Sequence, residues 1–366
     1  MIRTYKYKLY NTKRLKHLDR TLDIAGIIYN HCIALHKRYY RLFGKSLNKY
    51  QLQKHLTKLK KLPKYEYYKI VPSQAIQDIT DRIDKAYKLF FRNQKQGIKS
   101  SPPSFKKVKK YKSFTLKQAG YKIDGNVIYL NGYKYKFWLS HTIASKIKTI
   151  TVKRDNIGDF YICISLEQDE NKRNTTSGKI VGIDFGLKTF LTLSDNTEIE
   201  SPRYYLKHLK ELKRLQKRLS KKQKNSNNFK LAKRRLAKLH IKVANTRRDY
   251  FHKLSNDLAK TYDNIFIEDL NMKAMQRLWG RKISDLAFSE FVNILEYKTN
   301  LIKIDRFYPS SKTCSKCGYV LDELDLKIRE WQCPECKTKH LRDLNAAINI
   351  CRAGASTLGI ETVRPA

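Results

Sequence analysis

Three short apolar runs in the second half of the chain each end in an acidic residue. KIVGID ends at Asp184, NIFIE ends at Glu268, and LIKID falls within a predicted strand over 301–306. Apolar runs of this length, separated by helical patterns, predict buried strands of an α/β sheet. If the three strands belong to one sheet, Asp184 and Glu268 can lie side by side on neighbouring strands.

A third acid, Asp343, lies in the first turn of a closing helix, RDLNAAINI. Each acid alone has an ordinary explanation, because acids often follow strands and are favourable in the first turn of a helix. Clustered together, three carboxylates repel one another unless cations neutralise them. We therefore expect Asp184, Glu268 and Asp343 to hold two Mg²⁺ ions about 4 Å apart, which would activate water and stabilise the leaving oxygen of a phosphodiester.

The last region also carries two Cys-x-x-Cys pairs with 15 residues between them. Each pair offers two thiolates on a tight turn, and two pairs complete the tetrahedral site that structural zinc prefers. The predicted ligands of one Zn²⁺ ion are Cys314, Cys317, Cys333 and Cys336. Because no ligand position stays open, we assign this zinc no catalytic role. The other three cysteines are predicted to be small buried residues: Cys32, Cys163 and Cys351.

The chain has 77 Lys and Arg against 33 Asp and Glu, a formal net charge of +44, which indicates a polyanionic partner such as nucleic acid. Residues 204–248 hold 17 of the basic residues and one acid. Leucines at helical spacing from Leu206 to Leu219, and again from Leu231, predict a helical hairpin over 204–260. We expect its outer surface to bind nucleic acid through a basic set: Lys213, Arg214, Lys217, Arg218, Arg234 and Arg235.

Upstream, apolar residues recur at helical spacing over residues 12–60 and again from Ser73, the predicted N-cap, to Phe91. Residues 111–168 instead alternate and contain turn signals, which predicts a β-rich unit of several strands. The chain has no apolar run of about 18 residues and no apolar N-terminal signal region, so we expect no membrane partner.

The chain resembles the TnpB family in several motifs that follow one another in the family's order. These motifs are GIDFGLKTFLTLSD, IFIEDLNMKAM, the segment from IDRFYPSSKTCSKCGY to WQCPEC, and RDLNAAINI. Weaker similarity in SQAIQDITDRIDKAYKLFF, PSFKKVKKYKSFTL and GIETVRPA extends the resemblance over nearly the whole chain. TnpB proteins are transposon-encoded, RNA-guided DNA endonucleases related to the nucleases of type V CRISPR systems. One departure is Leu341, where many relatives have an additional acid.

The resemblance implies a fold of α/β class with all-α and all-β parts, built on an RNase H-like (RuvC) nuclease core with an inserted helical hairpin and a zinc ribbon. It places the family's catalytic triad on Asp184, Glu268 and Asp343, and its zinc ligands on the four cysteines of the two pairs. The implied domains are a β-barrel wedge domain at 1–11 and 111–175, a helical recognition domain at 12–110, a nuclease domain at 176–312 and 338–366, and a zinc ribbon at 313–337.

The implied partners are a guide RNA from the transposon end and a double-stranded target DNA with a short adjacent motif. The protein would read the motif and the guide would read the sequence, which is the division of labour described for Cas9. We expect a monomer in the RNA complex, in the cytoplasm of a prokaryotic cell at the nucleoid. The resemblance also places the helix from Ser73 in the region that inspects the adjacent duplex. Its non-apolar face carries Asp78 and four predicted DNA contacts: Gln74, Gln77, Arg82 and Lys85.

Three other functions compete with a guided nuclease. An RNA-guided DNA-binding repressor built on the same scaffold is expected to have lost acids of the triad, and all three are present here. A basic zinc-ribbon RNA-binding protein of ribosomal type would explain the charge and the cysteines, but not the ordered acids. A strand-transferring transposase also uses a carboxylate triad, but the basic hairpin and the resemblance argue against it.

Overall fold

The structure is a computed structural model that describes residues 2–167, 177–187, 189–271, 277, 280, 285–325 and 327–360. Parts of the motifs quoted above, residues 188, 272–275, 326 and 361–366, lie outside the described residues. The chain divides into two compact units, Met1–Glu170 and Asn171–Ala366. Each unit has hydrophobic clusters of its own.

Over residues 2–167, the first unit contains three α-helices: α1 (Leu15–Phe43), α2 (Lys49–Leu59) and α3 (Ser73–Lys95). A 3₁₀ helix, Pro63–Ile70, precedes α3. The predicted helical stretch 12–60 is therefore two helices, because Gly44 adopts a left-handed conformation with φ 62° and ends α1. The prediction of Ser73 as N-cap is wrong. Pro72 takes the N-cap position, and Ser73 is the first helical residue without a side-chain capping bond.

The β-rich part of the first unit has two antiparallel sheets. The strands of the larger sheet follow the order β1-β7-β6-β2, and the smaller sheet has the order β3-β4-β5. The strands are β1 (Ile2–Lys8), β2 (Ser113–Leu116), β3 (Tyr121–Asp124), β4 (Val127–Leu130), β5 (Tyr133–Lys136), β6 (Ile147–Arg154) and β7 (Phe160–Glu167). The bridge between Leu9 and Phe137 links the N-terminal strand region to the smaller sheet. Helices and strands of this unit share one hydrophobic core.

The second unit is built on a mixed five-stranded sheet of order β10-β9-β8-β11-β12. Its strands are β8 (Ile180–Phe185), β9 (Thr189–Leu193), β10 (Glu198–Glu200), β11 (Asn264–Glu268) and β12 (Asn300–Ile304). Strands β8, β9 and β10 are joined antiparallel, whereas β8, β11 and β12 run parallel. The three apolar runs of the sequence therefore become the three adjacent parallel strands at one side of the sheet.

Five helices and a small hairpin complete the second unit among the described residues. The helices are α4 (Tyr204–Lys207), α5 (Leu209–Ser220), α6 (Asn227–Thr261), α7 (Phe288–Glu296) and α8 (Arg342–Thr357). The predicted leucine stripe is interrupted at His208, between α4 and α5. Strands β13 (Glu330–Gln332) and β14 (Lys339–Leu341) pair antiparallel, and β14 runs directly into α8. In the described part of the chain, no helix is long and apolar enough to cross a bilayer.

The five-stranded sheet is covered on both faces. On one face, Val181 and Ile183 of β8 join side chains of α6 and α7, such as Phe251 and Phe291. On the other face, Phe266 of β11 joins side chains of β12 and α8 in a smaller cluster. A sheet buried on both faces explains why its central strands are continuous apolar runs.

Candidate active site

Strand alternation places Asp184 and Glu268 on the same face of the five-stranded sheet. Successive residues of a strand point to opposite faces. Ile183 of β8 and Ile267 of β11 both pack toward α6 and α7, so the next residue on each strand faces α8. The two strands are parallel neighbours in which Ile183 pairs with Ile267. Asp184 and Glu268 are therefore the next residues of adjacent strands, as the sequence predicted.

Helix α8 brings the third acid to this face by an unusually close approach to the sheet. A Cβ atom added to Gly182 of β8 would lie 2.8 Å from the Cβ of Cys351 on α8. A Cβ added to Gly354 would overlap the ring of Phe266 on β11. Only glycine, which has no Cβ, permits so close an approach at these two positions. Because α8 begins at Arg342, Asp343 lies in its first turn, where the sequence predicted it.

The electrostatics of the three acids show that they are close enough to interact. The pKa of Asp184 is raised from 3.8 to about 7, first by burial and then by the negative charges of Glu268 and Asp343. Burial also raises the pKa of Glu268, and a hydrogen bond from the Ser310 hydroxyl opposes that rise. The raised pKa values of Asp184 and Glu268 mean that a bound cation would stabilise the ionised forms of these two carboxylates.

Two side chains already contact the acids. The Ser310 hydroxyl donates a hydrogen bond to Oε1 of Glu268. Nη1 of Arg329 lies 3.0 and 3.2 Å from the two carboxylate oxygens of Asp343. The cluster thus attracts a cation from its own chain, and its hard oxygen donors are those that Mg²⁺ prefers. The donor chemistry of the three acids therefore suits a divalent cation of the Mg²⁺ type.

The four predicted zinc ligands form a compact cluster beside the β13–β14 hairpin. Their Sγ atoms all lie within 4.8 Å of one another. The Cys314–Cys336 and Cys317–Cys333 Sγ separations are both 3.6 Å. A tetrahedral site with Zn–S bonds of ~2.3 Å needs sulfur separations of ~3.8 Å. The Thr338 hydroxyl helps to lower the pKa of Cys336 to about 6, which favours the thiolate. The cysteine cluster therefore fits Zn²⁺.

Comparison with known proteins identifies the family. The family described as "Probable transposase" matches residues 161–278, and "Cas12f1-like, TNB domain" matches residues 288–350. The chain is 30% identical to a "Putative RNA-guided DNA endonuclease" of Streptomyces pristinaespiralis over 378 residues, covering 99% of this chain and 92% of that protein. The chain belongs to the TnpB family. It is also 29% identical to the "Putative RNA-guided DNA endonuclease InsQ" of Escherichia coli K12, covering 95% and 92% of the two chains.

A solved structure supports the same fold for this TnpB protein. The cryo-EM structure of a Cas12f1-sgRNA-target DNA complex matches with a TM-score of 0.61 at 15% identity, covering 96% of this chain and 98% of that one. This likeness confirms the predicted fold class, a mixed α/β chain with a RuvC-like core and additional helical and zinc-ribbon parts.

Sequence reasoning missed the side chains that join α8 to the cysteine cluster of this TnpB chain. Asn349 donates hydrogen bonds to the carbonyl oxygens of Ser310 and Thr313, at 2.8 and 2.6 Å. Asn345 donates to the Thr313 carbonyl at 2.8 Å and accepts from the amide of Ser315 at 3.0 Å. Both asparagines are buried. Their four-residue spacing in an otherwise apolar part of RDLNAAINI was the available signal, because it places two amides on one helix face.

His340 is a second residue that the sequence analysis did not identify. Its Nε2 lies 3.0 Å from Sγ of Cys314, and its ring packs against Trp331 in a tilted arrangement with the ring centroids 4.7 Å apart. Burial lowers the pKa of His340, so the ring is neutral and carries a single N–H. A neutral ring that carries its proton on Nε2 would donate a hydrogen bond to the Cys314 sulfur once that sulfur is a zinc-bound thiolate. His340 is on β14, three residues before Asp343.

The basic hairpin of this TnpB protein forms as predicted. Helices α5 and α6 meet along an apolar seam that includes the buried residues Leu212, Leu239 and Val243. All six predicted nucleic-acid contacts are exposed, and within the described residues none of them forms an ion pair. Their positive charge is therefore available to a polyanion, and their binding of nucleic acid stays a prediction. The six residues are Lys213, Arg214, Lys217, Arg218, Arg234 and Arg235.

The polar face predicted for α3 is only partly available. Gln77 and Lys85 are exposed and Gln74 is half-buried. The placement of Asp78 on the exposed face is wrong, because its carboxylate is buried and accepts a 2.9 Å hydrogen bond from the Thr115 amide. Arg82 bonds Asp78, the Ser113 carbonyl and the Thr115 hydroxyl at 2.8–3.0 Å. Its guanidinium holds β2 against α3, which is a structural use that a single-helix projection does not reveal.

Proposed function

We propose that this chain is an RNA-guided DNA endonuclease that hydrolyses phosphodiester bonds at Asp184, Glu268 and Asp343. The observation that carries the proposal is the meeting of these three acids on one face of the sheet, with the pKa of Asp184 raised to about 7 by burial and by the other two charges. In a chain of net charge +44, part-buried acids whose charges raise the pKa of one of them are expected to serve a bound cation.

Two Mg²⁺ ions, when bound, supply a nucleophilic water and neutralise charge on the scissile phosphate. The residues of the chain supply the oxygen ligands and orient them. Asp184 and Glu268 offer oxygens from the ends of two rigid strands, and Asp343 offers its oxygens from the first turn of α8. The Ser310 hydroxyl orients the carboxylate of Glu268. Arg329 contacts Asp343 and so brings a guanidinium, a group that binds phosphate well, beside the acid cluster.

The proposed partners are a guide RNA from the transposon end and double-stranded target DNA next to a short motif. Relatives are named as RNA-guided DNA endonucleases, and the similar solved structure is a complex with a guide RNA and target DNA. The exposed basic surface of α5 and α6 supports an RNA or heteroduplex contact. The proposed domains are those that the resemblance implies, and the complex would contain one protein chain and act at the nucleoid of a prokaryotic cell.

The experiment is to purify the protein with its co-expressed RNA, sequence that RNA, and supply a matching DNA target in Mg²⁺. Asp184→Asn, Glu268→Gln and Asp343→Asn should each lower cleavage at least ~100-fold, beyond the 10–100-fold that outer-shell changes cost. Guided DNA binding should remain, because base pairing carries it. Asp195→Asn is the matched control, since Asp195 is exposed in the turn after β9.

Two results would contradict the proposal. Substantial cutting by one of the three variants would remove that residue from the site. Guided binding without any cutting by the unmodified protein, in Mg²⁺ or Mn²⁺, would favour the guided repressor instead.

A further inference from the structure

Phe307 has the most exposed large hydrophobic side chain among the described residues. Its side chain is 87% exposed, whereas the next in rank, Tyr50, is 68% exposed. Single exposed apolar side chains are common on protein surfaces and need no explanation by themselves. The loop that carries Phe307 adds two further observations.

The first observation is that the loop holds the ring in solvent by fixed backbone contacts. The amide of Phe307 donates a 2.7 Å hydrogen bond to Oδ1 of Asp305, and the amide of Ser310 donates at 2.8 Å to the carbonyl of Tyr308. The neighbouring Tyr308 packs against the hydrophobic cluster of β11, β12 and α8. Because Tyr308 is anchored inward, the ring of Phe307 projects outward from an ordered turn.

The second observation is that both ends of this loop are fastened to the strand end that carries Glu268. On one side, Nε and Nη2 of Arg306 bond the carbonyl and carboxylate oxygens of Asp269, both at 2.7 Å. On the other side, the Ser310 hydroxyl bonds Glu268 itself. Phe307 lies between these two attachments, so the loop that carries its exposed ring is held at the end of β11, beside Glu268.

We propose that Phe307 is a stacking platform for a nucleobase of the DNA strand that enters the acid cluster. The proposal rests on the proposed nuclease function and adds a binding site to it. An aromatic face stacks on any base, which suits a nuclease whose sequence preference comes from its guide. A base is favoured over an apolar protein segment because the adjacent acids and their cations would hold the phosphate of the same strand. Stacking would fix that strand while its phosphate is cut.

The direct test is photo-crosslinking in the protein–guide RNA complex that carries Asp184→Asn, so that the DNA stays intact. Target DNA carries 5-iodouracil at successive positions of each strand, because this base crosslinks to an aromatic ring on which it stacks. The crosslink is expected at Phe307 from one or two adjacent positions of one strand.

The second arm measures single-turnover cleavage in otherwise unmodified protein. Phe307→Ala should slow cutting roughly 5- to 150-fold, the range for losing one base stack. Phe307→Tyr should keep the rate, and guided DNA affinity should be unchanged in both variants. Phe105→Ala is the matched control, because this phenylalanine is 55% exposed in the first unit.

The proposal is overturned if no crosslink forms at Phe307 and Phe307→Ala cuts at the rate of the unmodified protein. The exposed ring would then be assigned to a contact with another protein. Failure of the nuclease function has a different signature, since the unmodified complex then cuts no DNA. In that case the same crosslinking is run with single-stranded iodouracil DNA and protein alone. A crosslink at Phe307 would support base stacking on this ring, and the absence of a crosslink would overturn the proposal.

Discussion

Gly182→Ala should separate the acids of the candidate site without touching any of them. A Cβ on Gly182 would lie far inside 3.0 Å of two backbone atoms of α8, the carbonyl oxygen of Ala347 and the amide nitrogen of Cys351. Backbone atoms in a helix cannot rotate away as the end of a side chain can. Helix α8 must therefore move from β8 by roughly 1 Å to restore ordinary contact.

This displacement acts directly on the geometry of the site. Asp184 is two residues beyond Gly182 on β8, and Asp343 is one helical turn before Ala347 on α8. Mg²⁺ requires near-octahedral geometry with bonds of ~2.0–2.1 Å, and a misplacement of ~1 Å can cost ~10²-fold in rate. We expect cleavage to fall about 100-fold. We also expect the free energy of unfolding to fall by about 1–3 kcal/mol, which is typical of overpacking.

The assay compares single-turnover cleavage, guided DNA binding and urea unfolding for Gly182→Ala and Gly44→Ala. Gly44 ends α1 with φ 62° and has nothing within 4 Å of an added Cβ, so alanine there costs about 1–2 kcal/mol of backbone strain in the other unit. Gly44→Ala should therefore lose similar stability and keep its cutting rate. Equal cleavage by the two variants would refute the argument, because the loss would then follow stability rather than the position of α8.

Three further predictions concern pH, zinc and motif reading. In metal-free protein, stability should fall as pH rises from about 4 to 7, because folded Asp184, with its pKa raised to about 7, holds a proton that the unfolded chain releases. Asp184→Asn should reduce this dependence, and an unchanged pH profile of urea unfolding would contradict the cause. Cys333→Ser should lower the zinc-to-protein ratio and destabilise the second unit, as metal analysis and proteolysis would report; Cys163→Ser should do neither. Gln77→Ala should change the accepted DNA motif in a randomised-motif depletion assay, whereas Lys85→Ala should weaken all motifs alike and reduce the salt dependence of binding.

The errors of the sequence analysis on Asp78 and Arg82 of α3 have one physical cause. Helical periodicity identified the apolar face correctly, because the apolar residues on that face are buried in the structure. Asp78 and Arg82 are polar, so periodicity assigned them to solvent. Both instead form hydrogen bonds to Thr115 of β2: Asp78 accepts from its amide, and Arg82 donates to its hydroxyl. A long-range strand contact of this kind leaves no trace in the spacing of residues along one helix.

The identity of the three acids and the four cysteines could be read from the sequence because local rules place them. Strand alternation determines which face Asp184 and Glu268 share, and the spacing of the cysteine pairs determines a four-thiolate site. Their surroundings depend on the tertiary structure. Helix α8, whose distance from the sheet depends on Gly182 and Gly354, holds Ser310 beside Glu268 through a hydrogen bond from Asn349 to the Ser310 carbonyl. Arg329 reaches Asp343 because β13 pairs with β14 and the Arg342 amide bonds the Arg329 carbonyl. Periodicity records which side of an element is buried, but the distance between two buried backbones is decided by the atoms that meet there.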